Sequence, residues 1–239
     1  MFVAATNFSF HYYFIAKGRF EYFKDQEFRY YLILTIIFSL LFFINIVGTH
    51  EYKVNISTLR HSVFTAVSLL TTTGFSTEDF NSWPAFSNML VFVLLFIGGS
   101  AGSTTGGMKI IRTIVIFRYL ICEVKRLIHP KGVFKIKIGG RTIDDEVIKS
   151  TLGFYLFYII IFIITALIIS STGLDLVTSL SAAASAIGNI GPGLGEVGPA
   201  ESWGHMPSLV KWLVCFSMLL GRLEIFTVVV LFNSSYWRK

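Results

Sequence analysis

Residues 30–47 read YYLILTIIFSLLFFINIV and carry no charged side chain. At about 1.5 Å per helical residue, such a run is long enough to cross a hydrocarbon layer roughly 30 Å thick. Residues 152–170 and 209–232 are also long enough, the second with Lys211, Arg222 and Glu224 among its apolar residues, and residues 85–122 form a fourth such segment, interrupted near its middle. Four such segments in one chain leave few folds open, because their apolar surfaces need lipid as solvent. The composition agrees: 54% of residues are hydrophobic, 16% aromatic and only 14% charged, far from the balance of a soluble domain. The expected fold class is therefore an all-α polytopic membrane protein.

Basic residues orient the spans. Lys125, Arg126, Lys131, Lys135, Lys137 and Arg141 follow the interrupted segment, and Lys17, Arg19, Lys24 and Arg29 precede the first span. Positive flanks stay on the cytoplasmic side, so both belong there, whereas the connections at 50–60 and 190–208 carry few cations and face outward. The net charge of +6 then reflects topology, and no nucleic-acid surface is read from it. The opening stretch has no basic flank ahead of a compact apolar core and no small-residue cleavage site, so it does not read as a signal peptide. Cys122 and Cys215 lie far apart in or beside apolar segments and define neither a disulfide framework nor a metal motif. His11, His50, His61, His129 and His205 are scattered, without metal-ligand spacing or a nucleophile and base pair, which argues against an enzyme.

Two further segments, 57–70 and 174–187, are helix-length but too short to cross, and each runs at once into glycine: TTTGFST after the first, GNIGPGLG after the second. That pattern reads as a re-entrant hairpin, a half-membrane helix followed by an extended return. The chain then contains an internal repeat of span, short helix, glycine-containing loop and span, over 30–122 and again over 152–237. Extended backbone at membrane depth is tolerated only where it is buried in protein or lines a watery cavity, so two such loops argue for a shared polar path. Each short helix aims its partially negative end at its loop and favours a cation there, and Asp175 complements the opposite end of the second. In the first loop Gly74 permits carbonyls to point the same way, and Thr71, Thr72 and Thr73 add hydroxyl oxygens.

The interruption in the fourth apolar segment is GGSAGSTTGG, residues 98–107, with five glycines in ten positions. Each glycine lowers helix stability by roughly 1 kcal/mol relative to alanine, so this stretch cannot hold a regular helix. A phosphate loop is rejected, because Lys109 does not directly follow the second glycine and no Ser or Thr follows the lysine. Arg222 falls about 20 Å into the last span counted from Leu209, where ionisable groups face the protein interior or a water-filled cavity. Glu224, two residues on, is rotated by about 200° on a helix, so the two residues need separate partners. Arg222 is expected to contact the 98–107 loop or to form an electrostatic barrier; the competing expectation is a buried pair with a carboxylate on a neighbouring helix. Lys109, Arg112 and Arg118 read as interfacial anchors, and Glu78, Asp79, Glu196 and Glu201 as outer-face residues able to concentrate cations.

TTTGFST, GGSAGSTTGGMKIIR, SAIGNIGPGL and GRLEIFTVVVLF, in that order, resemble the third and fourth repeats of the Trk/Ktr/HKT superfamily of potassium transporters, closest to its bacterial pore subunits, and NFSFHYYF resembles the tail of the second repeat. The resemblance covers nearly the whole chain and implies a potassium-channel-like fold of span–pore helix–span repeats with re-entrant filter loops and a broken helix. On it, residues 1–28 are the end of a preceding repeat and a cytoplasmic linker. Residues 29–122 are a third repeat, 123–146 a cytoplasmic linker and 147–239 a fourth repeat. Thr72, Thr73, Gly74 and Phe75 form one filter strand and Ala186, Ile187, Gly188 and Asn189 the other, with potassium held at Thr73, Gly74, Ile187 and Gly188. Gly98, Gly99, Ser100, Ala101, Gly102, Ser103, Thr104, Thr105, Gly106 and Gly107 form the gate loop, and Lys109 and Arg222 act on it electrostatically.

The resemblance implies no covalently bound cofactor, potassium as the transported ion, the bacterial inner membrane as location, and a TrkA/KtrA-like ring of nucleotide-binding regulatory subunits at the cytoplasmic face. A complete member has four repeats and this chain has two, so it is expected to be the C-terminal half of a longer or split protein, or to close a pore as a homodimer. The competing functions are a membrane scaffold that transports nothing, an inactive fragment, and a sodium-permeable or cation-coupled transporter.

Overall fold

The computed structural model describes residues 1–18, 21–49 and 54–238; Arg19 of the basic flank and His50 lie outside them. After a short amino-terminal turn, helix α1 (Phe8–Lys17) leads to the long helix α2 (Gln26–Gly48), capped by the Asp25 side chain, which accepts the Phe28 N–H. The short helix α3 (Ile56–Leu70) packs along α2 and runs into the TTTGFS loop. Helix α4 (Ala85–Leu94) and helix α5 (Ile110–Ile128) stand on either side of the glycine-rich stretch. A two-stranded antiparallel hairpin follows, β1 (Lys137–Ile138) paired with β2 (Arg141–Thr142). The second half repeats the first: long helix α6 (Asp145–Ser170), short helix α7 (Leu176–Gly188) packed on it, and helix α8 (Ser208–Arg222) packed on α7. Two short pieces, α9 (Phe226–Leu231) and α10 (Ser234–Trp237), complete the described chain.

Among the described residues, α2 and α6 are the two helices long and apolar enough to cross a membrane unaided. Their outward faces are apolar: Ile33, Ile36, Ile37, Leu40 and Ile44 on α2 are exposed, as are Leu156, Ile160, Ile163, Ile164 and Leu167 on α6. The interior is largely apolar but also takes in hydroxyl-bearing and small residues. Helix α7 is buried through Thr178, Ser179, Ser181 and Ser185 together with Ala182, Ala183, Ala184 and Ala186. Small residues let helix backbones approach closely, which is how a bundle packs when lipid competes for every apolar surface. At Gly221 of α8 a methyl group would lie 1.9 Å from the Ile187 carbonyl oxygen, so α8 rests on the end of α7 at backbone distance.

Two expectations need correction. The segment 209–232 is not one helix: α8 ends at Arg222, and Leu223, Glu224 and Ile225 turn the chain before α9. Glu224 takes a left-handed φ of 55°, and the Ile225 N–H reaches back to the Leu220 carbonyl at 3.0 Å, the six-to-one bond of a helix C-terminus. The second return also starts later than the glycine pattern suggested. Ala186, Ile187 and Gly188 are the last turn of α7, and the non-helical segment begins at Asn189, whose φ of 55° ends the helix.

Candidate ion path and its glycine-rich loop

The two short helices end in the same way. The Thr73 N–H donates to the Ser68 carbonyl at 2.9 Å and the Ile190 N–H to the Ser185 carbonyl at 3.1 Å, each five residues back. The residue before each, Thr72 (φ 50°) and Asn189 (φ 55°), is left-handed, and a glycine with positive φ follows two positions later, Gly74 at 75° and Gly191 at 114°. Matching the turns pairs Thr72 with Asn189, Thr73 with Ile190, Gly74 with Gly191 and Phe75 with Pro192. A serine of the preceding helix pins each return: the Ser68 hydroxyl donates to the Phe75 carbonyl at 2.6 Å, and the Ser185 hydroxyl accepts the Gly191 N–H at 3.1 Å. Gly191, rather than Gly188, thus stands where Gly74 stands. The two returns run side by side, because a methyl group on Gly74 would lie 1.9 Å from the Ile190 carbonyl oxygen.

The glycine-rich stretch is a closed loop. At its neck the Gly98 N–H donates to the Met108 carbonyl at 2.8 Å and the Met108 N–H to Phe96 at 3.3 Å. Gly106, packed against Gly98 beside this neck, meets the ends of both short helices. The Gly106 N–H donates to the Thr72 hydroxyl at 2.8 Å, and a methyl group on Gly106 would lie 2.5 Å from the Gly188 carbonyl oxygen. From the other side, Ser100 N–H bonds the Ala5 carbonyl at 2.9 Å and Phe8 N–H bonds the Gly102 carbonyl at 3.1 Å, so the amino-terminal residues clasp the loop.

Arg222 and Glu224 take separate partners. The Arg222 guanidinium donates through Nη1 to the Thr104 carbonyl, within the loop, at 2.7 Å, and the residue is otherwise exposed. Glu224 accepts from Lys109 Nζ at 2.5 Å and from Arg112 Nη2 at 2.7 Å, which ties the break after α8 to the start of α5. Lys109 and Arg112 are therefore ion-paired, and the Arg112 guanidinium also lies 4.0 Å from the Phe154 ring centre. Thr72, Asn189 and Glu224 are non-glycine residues with left-handed φ, and all three stand at this junction. Left-handed backbone costs an ordinary residue about 1–2 kcal/mol, and such residues cluster where surrounding contacts over-determine them. Here the contacts are the Gly106 N–H on Thr72, the Met218 carbonyl accepting from Asn189 Nδ2 at 2.9 Å, and the two cations on Glu224.

Past the two returns, Asn81 joins the halves, donating through Nδ2 to the Gly195 carbonyl at 3.2 Å while its Oδ1 accepts the Gly195 N–H at 2.9 Å. Asp175 caps α7, accepting from Val177 and Thr178 N–H, and the Thr178 side chain with these backbone donors holds its carboxyl below the usual carboxylate range. The four outer acids are dispersed: Asp79 caps a short turn, Glu78 lies 3.9 Å from His61, and Glu196 lies 3.4 Å from His205, while Glu201 is exposed. No group of three or more His, Cys, Asp or Glu fit to hold a metal occurs among the described residues. The sequence reading missed Gly191, Asn81 and Glu27, described below, because none belongs to a pattern of its own; the glycine at 191 was present in GNIGPG but competed with two others.

Paired spans, short polar-cored helices and side-by-side returns over a glycine loop define a polytopic membrane protein of the span–pore helix–span class. The family model for TrkH, described as cation transport protein, matches residues 1–239. The chain belongs to that family. It is 41% identical over 238 residues to the Trk system potassium uptake protein TrkH of Halomonas elongata, covering 99% of this chain and 49% of that protein. With TrkH of Escherichia coli K12 it shares 37% over 223 residues, 91% of this chain and 45% of the relative. The crystal structure of the potassium transporter TrkH from Vibrio parahaemolyticus matches with a TM-score of 0.92 at 38% identity, over 99% of this chain and 51% of that one. The chain spans about half the length of these relatives. Membership in a transport family agrees with the reading that the chain is not an enzyme.

Proposed function

We propose that this chain supplies half of a potassium uptake pore in the bacterial cytoplasmic membrane, with potassium as the transported ion. The observation that carries the proposal is the matched pair of returns, Thr72–Thr73–Gly74–Phe75 and Asn189–Ile190–Gly191–Pro192, at carbonyl distance from each other. A backbone carbonyl ring replaces an ion's hydration shell, and the negative ends of α3 and α7 favour a cation at the same place. In this reading Gly191 takes the part first given to Gly188, and residues 98–107 form the barrier beneath, steadied by Arg222. The names of the relatives support potassium as the ion.

Two more returns are needed to surround the path. They come from the other half of a longer protein or from a second copy, and a ring of regulatory subunits meets the cytoplasmic linker 123–146. The test is rubidium uptake into potassium-loaded proteoliposomes, with the chain alone and with the missing half supplied. Uptake that potassium competes away, and whose potassium-to-sodium preference falls with Gly74→Ser and Gly191→Ser, supports the reading. Unchanged selectivity in both variants of well-folded protein refutes the filter assignment.

A further inference from the structure

A carboxylate outside every transport motif fastens the glycine-rich loop. Glu27 lies in the first turn of α2 and is 7% exposed. Its Oε1 accepts the Ala101 N–H at 2.7 Å and the Ile111 N–H at 3.1 Å. Ala101 belongs to the loop, and Ile111 to the first turn of α5. That helix begins after Lys109, whose side chain makes no capping hydrogen bond, so the N–H of Ile111 takes its acceptor from α2 instead. A buried carboxylate is costly without compensation. Here the two backbone donors and the positive end of α5 offset part of that cost.

The same oxygen thus fastens the loop and the helix that follows it to one point on α2. Because α2 is anchored by its own Asp25 cap and packed against α3, that point is fixed relative to the returns. We propose that Glu27 is a positioning residue, the staple that holds residues 98–107 in place beneath the returns and that opens when the loop moves. The proposal rests on the reading of the loop as the barrier, and its test separates the two.

In the full-length protein, with native cysteines replaced, a thiol is introduced by Thr105→Cys, at a buried position of the loop. Its modification by a water-soluble methanethiosulfonate reagent is followed in inside-out vesicles beside rubidium flux. Glu27→Ala removes the acceptor and Glu27→Asp withdraws it by one methylene, and both are expected to raise the modification rate by about tenfold, the equivalent of losing one well-made hydrogen bond. Glu27→Gln keeps an oxygen within reach and is expected to restore most of the parent rate. Unchanged rates in Glu27→Ala and Glu27→Asp overturn the proposal, and so does an equal rise in all three variants, which assigns Glu27 to folding alone. If Glu27→Ala does not fold, the Asp and Gln pair carries the comparison. Faster modification with unchanged flux keeps the staple and removes the barrier reading.

Discussion

Glu224 offers a quantitative test of how the last helix is broken. Its left-handed backbone costs about 1–2 kcal/mol relative to an unstrained conformation, and its carboxylate recovers this through Lys109 Nζ and Arg112 Nη2 at 2.5 and 2.7 Å. Two hydrogen bonds between charged groups set an upper limit of roughly 3–6 kcal/mol. The Glu224 side chain is 44% exposed, so water competes, and about half that limit, roughly 2–3 kcal/mol, is the reasonable figure. Glu224→Ala keeps the strain and loses both bonds, and should therefore lose about 2–3 kcal/mol. Glu224→Gly loses the same bonds but relieves the strain, and should recover about 1 kcal/mol of that loss. Reversible denaturant titration of detergent-solubilised protein, followed by tryptophan fluorescence, measures both. Equal stabilities for the Ala and Gly variants refute the strain argument; an Ala variant as stable as the parent refutes the ion-pair argument as well.

Gly106→Ala places a methyl group 2.5 Å from the Gly188 carbonyl oxygen, so this end of the loop must withdraw, and rubidium flux through the assembled pore should rise with the protein still monodisperse on size exclusion. Arg222→Gln frees the Thr104 carbonyl from its guanidinium donor and should raise flux severalfold, by about the factor expected for losing one charge-assisted hydrogen bond, as measured by the same uptake assay. Asp175→Ala removes the cap of α7 and should cost about 1 kcal/mol at neutral pH. Because the folded carboxyl titrates below its unfolded value, this stabilisation is full above about pH 4 and shrinks as pH falls through the depressed folded value, so the parent and variant melting curves should converge in acid.

Much of the architecture follows from local sequence. Helices α2 and α6 were readable because long uncharged runs have one stable form in lipid, with every backbone group bonded within the segment. The break at 98–107 was readable because glycine disfavours helix wherever it falls. The end of α7 was not, since GNIGPG offers glycine at 188, 191 and 193 and local preference does not choose among them. The apolar run 209–232 likewise gave no sign of its break, because the residue that turns the chain is a glutamate rather than a glycine.

Chain chemistry alone therefore determined that this protein lives in a bilayer, that two short helices each run into a glycine-containing return and that one apolar segment is interrupted. Which atoms meet at that midpoint was decided only in three dimensions. Asn189 can end α7 where it does because its side chain reaches the Met218 carbonyl and Gly221 lets α8 lie against the Ile187 carbonyl. Thr72 is held left-handed beside the Gly106 N–H, Glu224 turns toward Lys109 and Arg112, and Glu27 takes donors from Ala101 and Ile111. Each of these partners is 29 to 115 residues away in the chain. The physical reason is common to all of them: a polar group that the fold withdraws wholly or partly from water is satisfied by whatever donor or acceptor comes within about 3 Å, and distance along the chain carries no information about which one that is.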